Sequence, residues 1–265
     1  MLQVINVLQN AINSNQSIAS VTIIKEQGSS PRGIGSMMLV NEDGLVEGSI
    51  GGGAVELKAI ADAQVALLDG HSKTVSYPLA SLDMTCGGDI EVFIQVYVQK
   101  DEILIIGAGH ICEELTYYLK PLPYKVTVLD HRDEFAIASR FPECTVICNT
   151  VVEGLNSIKF HKKTNVIIVT HGHEYDEVAL RYVLKQPYKY VGMIGSQTKI
   201  SKCFNAMIVD GYSKEQLASV YAPIGLTLGG ETPAEIALSI VSEIQSINNK
   251  KNAIHLRDVN QMTIK

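Results

Sequence analysis

The residues most able to do chemistry sit in short glycine-rich or polar stretches. Gly107-Ala108-Gly109 follows the apolar run Ile103-Leu104-Ile105-Ile106, and Ile111, Leu115, Tyr118 and Leu119 then recur at helical spacing. A second apolar run, Val126-Thr127-Val128-Leu129, ends in Asp130, 23 residues beyond Gly107. Strand, glycine turn, helix, strand and acid form the opening βαβ of a dinucleotide-binding fold. Gly107 allows the tight turn, Gly109 lets backbone N–H groups approach a phosphate, and Asp130 is placed to accept from ribose hydroxyls. Cys112 holds the third glycine position, where a small side chain still permits close helix–strand packing.

Other stretches carry reactive groups. His171, His173 and Asp176 follow the apolar run Val166–Val169 and are expected at a strand's carboxyl end, where open parallel sheets bind ligands. A His-x-His-x-x-Asp run also suits zinc, which makes a metal-dependent hydrolase one alternative, although no second cluster completes a tetrahedral site. Solvated loop histidines are the other reading. Gly51-Gly52-Gly53 precedes a helix and reads either as an anion cradle or as a crowded turn. Arg32, in Gly28-Ser29-Ser30-Pro31-Arg32-Gly33, suits a phosphate or carboxylate. Cys86 lies between Thr85 and two glycines, where a thiol could be a nucleophile, sulfur carrier or soft-metal ligand, or a small packing residue.

The elements that must position these groups follow from the hydrophobic pattern. Residues 2–13 read as an amphipathic helix, and residues 21–24, 37–40 and 45–50 as strands. Residues 54–68 read as a helix, 75–79 as a further strand, and 89–98 as an alternating strand. Gln99-Lys100-Asp101 is a polar break. The expected organisation is α/β: a mixed α+β amino-terminal domain over 1–100, a Rossmann-like doubly wound parallel sheet over 101–250, and a tail over 251–265. In the second domain, strands are expected at 144–148, 166–170 and 190–194. Thr232-Pro233-Ala234-Glu235 is a capping box with proline at the first helical position.

The 265 residues carry 46% hydrophobic and 19% charged side chains, enough length and apolar content for a substantial core. The net charge of −6 argues against nucleic acid as a partner. No apolar run reaches the roughly 18 residues of a membrane span, and no signal peptide is read at the start. The five cysteines are odd in number and scattered, which favours a reducing cytoplasm over a disulfide framework. Cys144 and Cys148 lie roughly 13 Å apart along one strand, too far to share a disulfide or metal. Both are expected to be packing residues.

Taken in order, the motifs resemble the xanthine dehydrogenase accessory factor (XdhC/CoxI) family. Gly28–Gly33, the run Gly48-Ser49-Ile50-Gly51-Gly52-Gly53-Ala54-Val55-Glu56 and Cys86-Gly87-Gly88 are similar to its amino-terminal domain. Gly107-Ala108-Gly109-His110, Thr170–His173, Gly192-Met193-Ile194-Gly195-Ser196, Ala222–Leu226 and Glu231-Thr232-Pro233 are similar to its Rossmann domain. Two positions depart from the pattern, Cys112 in place of a smaller residue and Gln197-Thr198-Lys199 in place of a more basic run. The resemblance implies a cytoplasmic, homodimeric chaperone that binds the molybdenum cofactor (molybdopterin). It further implies that the chaperone supports sulfuration by a cysteine desulfurase and delivers the cofactor to a molybdenum hydroxylase of xanthine dehydrogenase type.

It implies ligand contacts from Ser30, Arg32, Gly51, Gly52, Gly53 and Glu56 in the first domain. In the second they come from Gly107, Gly109, His110, Asp130, His171, His173, Asp176, Gly195, Ser196 and Glu231. Cys86 is the expected functional thiol, acting where the domains or two copies meet. The alternative to a non-catalytic accessory factor is an NAD(P)-dependent oxidoreductase, with NAD(P) or another nucleotide on the glycine turn.

Overall fold

The computed structural model describes residues 2–82 and 87–260, and for His173 and Asn260 the backbone alone. The chain divides into two compact units, Met1–Gln99 and Lys100–Lys265. Among the described residues no helix is long and apolar enough to cross a membrane.

In the first unit, α1 (Leu2–Asn13) leads into β1 (Ile18–Gln27), β2 (Met37–Asn41) and β3 (Gly44–Gly48). Then come α2 (Gly53–Asp69), β4 (Lys73–Pro78) and β5 (Asp89–Tyr97). The strands form an antiparallel sheet in the order β3-β2-β1-β5-β4. On one face α2 buries Val55, Ala59, Ala63, Ala66 and Leu67 against Val21, Ile23, Met38 and Val92. Alanines on this face let the helix backbone approach the sheet closely. Gly70, in the left-handed conformation, donates its N–H to the Ala66 carbonyl and ends the helix. On the other face α1 covers Ile18 and Leu39 with Val4 and Ala11.

The second unit alternates strand and helix: β6 (Asp101–Ile106), α3 (His110–Leu119), β7 (Tyr124–Asp130), β8 (Thr145–Cys148), α4 (Val151–Asn156), β9 (Thr164–Ile168) and α5 (His173–Val183). It continues through β10 (Tyr190–Met193), α6 (Gln197–Val209), α7 (Lys214–Ala218), α8 (Pro233–Asn248) and α9 (Leu256–Asn260). The sheet is parallel throughout, in the order β10-β9-β6-β7-β8, which is the doubly wound Rossmann arrangement. Residues of β6 alternate between two cores. Ile103 and Ile105 face the cluster built with α3 and α8, whereas Leu104 and Ile106 face the cluster built with α4, α5 and α6. Burial on both faces explains why the strand reads as an unbroken apolar run.

After β8 the chain crosses to β9 on the other side of β6. The order therefore reverses between β6 and β9, and the crevice at their carboxyl ends is where open α/β sheets take ligands.

Two devices fix the loop from Tyr221 to Glu231. The capping box is complete, with Thr232 Oγ1 accepting from Glu235 N–H and Glu235 Oε2 accepting from Thr232 N–H at 3.0 Å. Deeper in, Glu243 Oε1 accepts from the Tyr190 hydroxyl at 2.5 Å and from Gly225 N–H at 3.0 Å. Burial and this carboxylate together push the Tyr190 hydroxyl pKa upward, so it stays a donor. Glu243→Ala leaves the buried Tyr190 hydroxyl and the half-buried Gly225 N–H without this acceptor and is expected to cost roughly 3 kcal/mol, whereas Glu243→Gln keeps an acceptor oxygen and is expected to cost about 1. Urea unfolding of the two variants checks this, and equal losses would contradict it.

Candidate functional site

At the carboxyl edge of the second sheet the loops after β6, β7 and β9 are drawn together. Gly107 N–H bonds the Leu129 carbonyl at 2.8 Å and Val169 N–H bonds the Ile106 carbonyl at 2.9 Å, so the ladders continue past the strand ends. Gly107 has φ +110°, and a Cβ there would lie 2.4 Å from the Val169 carbonyl oxygen and 2.8 Å from Thr170 Cα. Only glycine fits at such an approach. Gly109 differs: its φ is −78° and a Cβ would meet nothing within 4 Å. It is the N-cap of α3, without a side-chain cap, and His110 beside it is exposed. The amino terminus of α3 thus presents amides and a positive dipole end to open space, the geometry that receives a phosphate. Cys112, one turn in, is fully buried, and burial holds its thiol pKa well above the ordinary value.

Asp130 corrects the expectation that it would be open to ribose hydroxyls. Its Oδ2 accepts from Ala108 N–H at 2.7 Å and from Arg132 Nη2 at 2.7 Å. Its Oδ1 accepts from the Arg132 N–H and from Nε, both at 3.0 Å. Burial opposes the charge, yet the guanidinium and the two amides outweigh it and bring the carboxyl pKa down to about 2. Arg132 is held in turn over the Phe135 ring, 3.9 Å from its centroid. The acid pins the glycine turn to β7, and a ribose would have to displace a bidentate arginine to reach it.

The loop after β9 lies at this same edge. Asp176 is buried, and its Oδ1 accepts from the Thr170 hydroxyl at 2.6 Å and from Thr170 N–H at 3.2 Å. It ties the first turn of α5 to the end of β9. His171 is exposed, and the backbone of His173 begins α5. Among the described residues no group of three His, Cys, Asp or Glu side chains could hold a metal ion. Gly195 and Ser196 sit where β10 enters α6, with Ser196 capping the helix through Lys199 N–H. Glu231 is exposed beside the capping box of α8.

In the first unit the glycine motifs converge on one another. A Cβ on Gly51 would lie 2.5 Å from Pro31 Cγ, and one on Gly88 would lie 2.5 Å from the carbonyl oxygens of Gln27 and Ser29. The stretches 28–33, 48–56 and 87–88 therefore form one compact corner. The expected anion cradle holds the chain's own anion. Glu56 Oε2 accepts from Ser49 Oγ at 2.6 Å, and from Ile50 and Gly52 N–H at 3.1 Å. Burial opposes its charge, but the Ser49 hydroxyl and these amides hold its pKa below the usual carboxylate range. Gly53 opens α2 behind them. Ser30 Oγ donates to Glu26 Oε2 at 2.9 Å, and Arg32 is exposed at the rim.

Cys86 lies outside the described residues. Cys144 is half-buried against the α3–α8 core, but Cys148 is exposed, which corrects the expectation that both would pack. It sits on β8, an edge strand of its sheet.

Sequence reasoning did not single out Arg132, Thr170, His131 or Tyr175. The rings of His131 and Tyr175 meet at a tilt of 31° with centroids 4.6 Å apart, linking the loop after β7 to the first turn of α5. The signal available was position alone, since Arg132 stands two residues beyond the acid that ends β7.

The chain matches the family model described as the XdhC Rossmann domain over residues 103–244, and that of the XdhC and CoxI family over residues 11–78. It is 30% identical over 242 residues to the uncharacterized protein YqeB of Escherichia coli K12, covering 89% of this chain and 44% of that protein. It is 27% identical over 154 residues to a probable xanthine dehydrogenase subunit of Bacillus subtilis 168, covering 58% and 44%. It is 21% identical over 271 residues to the molybdenum cofactor insertion chaperone PaoD of E. coli K12, covering 89% and 85%. The chain thus spans less than half the length of the first two relatives. A crystal structure of a xanthine dehydrogenase from Bacillus halodurans shares the fold, with a TM-score of 0.53 and 21% identity over 95% of this chain and 98% of that one.

The low pKa of Asp130 fixes a pH dependence. The stabilisation is fully present above its ordinary value of 3.8 and fades as the pH falls towards about 2. It amounts to about 2 kcal/mol at pH 7. The stability gap between the parent and Asp130→Asn is expected to narrow by about half between pH 7 and pH 3. Urea unfolding at the two pH values checks this, and a gap that widens in acid would contradict it.

Proposed function

Because the chain belongs to the XdhC and CoxI family, we propose that it binds the molybdenum cofactor as cargo and supports its insertion into a molybdenum hydroxylase of the xanthine dehydrogenase type. The carrying observation is the amino terminus of α3. Gly109 leaves it uncapped and open, as a terminal phosphate requires, while Asp130, the acid that would select a dinucleotide's ribose, is closed by Arg132 and Ala108. A phosphate-bearing ligand without a ribose diol suits this edge better than NAD(P). The metal-hydrolase alternative loses support because Asp176 is committed to Thr170.

The name of one relative, a molybdenum cofactor insertion chaperone, supports this maturation role, and that of another, a probable xanthine dehydrogenase subunit, supports the type of target. The finer reading follows the family resemblance: a cytoplasmic homodimer that presents the cofactor for sulfuration by a cysteine desulfurase. The proposed contacts are the phosphate at Gly107, Gly109 and His110, flanked by His171, His173, Gly195, Ser196 and Glu231. In the first unit, Arg32 and Ser30 form a second polar corner. Cys86 is the proposed thiol, because a thiolate is a soft donor suited to a molybdenum–sulfur centre.

The test is activation of a cofactor-free hydroxylase by protein loaded with cofactor. Cys86→Ser is expected to keep its fold and lose at least tenfold in activation, whereas Cys148→Ser, at the far edge of the Rossmann sheet, transfers normally. Gly109→Val is expected to fold, because its backbone is not in the left-handed region and its surroundings are open, yet to bind no cofactor. Full activation by Cys86→Ser would remove the thiol from the account. Undiminished binding by Gly109→Val would remove the cradle.

A further inference from the structure

A cavity of about 360 Å³ opens between α5 and α6 at the carboxyl end of β10. Its wall is apolar, made by Met193, Ile194 and Ile200, with the half-buried thiol of Cys203 beside them. Lys199 and Lys202, three residues apart on one face of α6, also line it and are exposed. Glu177, on the first turns of α5, brings a carboxylate. That carboxylate is fixed: Arg181 donates to its Oε1 from Nε at 2.8 Å and from Nη2 at 2.7 Å, and also bonds Asp210 at 2.6 Å. Asp176, bonded to Thr170, also lines it. An apolar slot with anchored carboxylate acceptors and two exposed lysines complements a flat ring that has an N–H edge and an anionic substituent. The volume lies at the lower end of the range for small-molecule sites.

We propose that this cavity seats a fused amino-lactam ring, the pterin of the molybdenum cofactor, with Glu177 accepting from its N–H edge and Lys199 and Lys202 facing its anionic side. The assignment rests on the cofactor-binding reading and extends it to the organic body of the ligand. β10 stands two strands from β6, roughly 10 Å at the usual spacing of a sheet. The cavity and the amino terminus of α3 both lie at the carboxyl edge of the sheet, on its two faces. Guanine shares the amino-lactam edge; adenine does not.

Cys203 provides a local reporter. Burial pushes its thiol pKa up to about 11, so iodoacetamide at pH 9 modifies it slowly, and a ligand in the cavity would shield it further. Cys148, exposed on the opposite edge of the sheet, is the internal control. The experiment follows alkylation of each cysteine by peptide mass spectrometry in the full chain, with a pterin 6-methyl phosphate, guanosine monophosphate or adenosine monophosphate, alongside equilibrium dialysis. Saturating pterin phosphate is expected to slow Cys203 at least tenfold and leave Cys148 unchanged. Glu177→Gln and the double variant Lys199→Glu/Lys202→Glu are each expected to raise the protecting concentration about tenfold.

Equal protection by guanosine monophosphate supports the amino-lactam edge as the recognised feature, and equal protection by adenosine monophosphate overturns it. No binding in dialysis, or binding that leaves Cys203 alkylation unchanged, overturns the cavity assignment. If purified molybdenum cofactor binds without shielding Cys203, the cavity fails and the chaperone reading stands. If pterin phosphate shields Cys203 but the loaded chain activates no hydroxylase, the chaperone reading fails and the cavity stands.

Discussion

The approach of Gly107 to the backbone of Val169 and Thr170 brings the end of β6 against the end of β9, closer than any side chain would allow. On the other flank, Asp130 holds Ala108 N–H and so fastens the same turn to β7. Three adjacent strands are locked at their carboxyl ends by one glycine and one carboxylate. The amino terminus of α3 must then point outward, with Gly109 at its tip. Asp176 repeats the device one loop further on, binding Thr170 and setting the direction of α5. The cavity between α5 and α6 depends on that direction, since Glu177 is the next residue along.

The lock has a consequence for ligand choice. A carboxylate at the end of the second Rossmann strand ordinarily has acceptor capacity left for a ribose. Here the protein itself supplies four donors, two of them from one guanidinium, and the charge becomes structural. Glu56 does the same to the glycine run of the first unit, turning an apparent anion site into a self-capped helix entry. In both units a polar motif that suits a ligand is satisfied from within. The open cradle at Gly109 and the cationic side of the α5–α6 cavity remain as places for a ligand's negative charge.

The frame was legible in the residues. Ile103–Ile106 reads as a doubly buried strand because nothing polar interrupts it, and the glycine turn and the acid after the next apolar run place the first βαβ. Thr232, Pro233 and Glu235 announce the start of α8. What was not legible is how a polar side chain chooses between a ligand and a neighbour. Spacing puts Asp130 at the correct strand end, but it is the fold that turns Arg132 back onto it. Glu56 lies one helical turn beyond Gly52, close enough to reach back to its amide, yet a glycine run before a helix reads equally as a vacant cradle. Cys148 was expected to pack because it lies too far along its strand from Cys144 to share a disulfide or metal; β8 is at the edge of the sheet and the thiol is exposed. The α5–α6 cavity has no signature in the sequence, since Met193, Ile200 and Cys203 carry the ordinary pattern of packing residues.

The proposed role is carriage of the molybdenum cofactor in preference to a nicotinamide dinucleotide. Its most direct test is a paired titration of one preparation, with purified molybdenum cofactor followed by molybdenum retained per chain after gel filtration, and with NADH followed by nicotinamide fluorescence. Retention of about one molybdenum per chain, with no saturable change in NADH fluorescence, is the predicted result. Saturable NADH binding by a protein that retains no molybdenum would contradict the account.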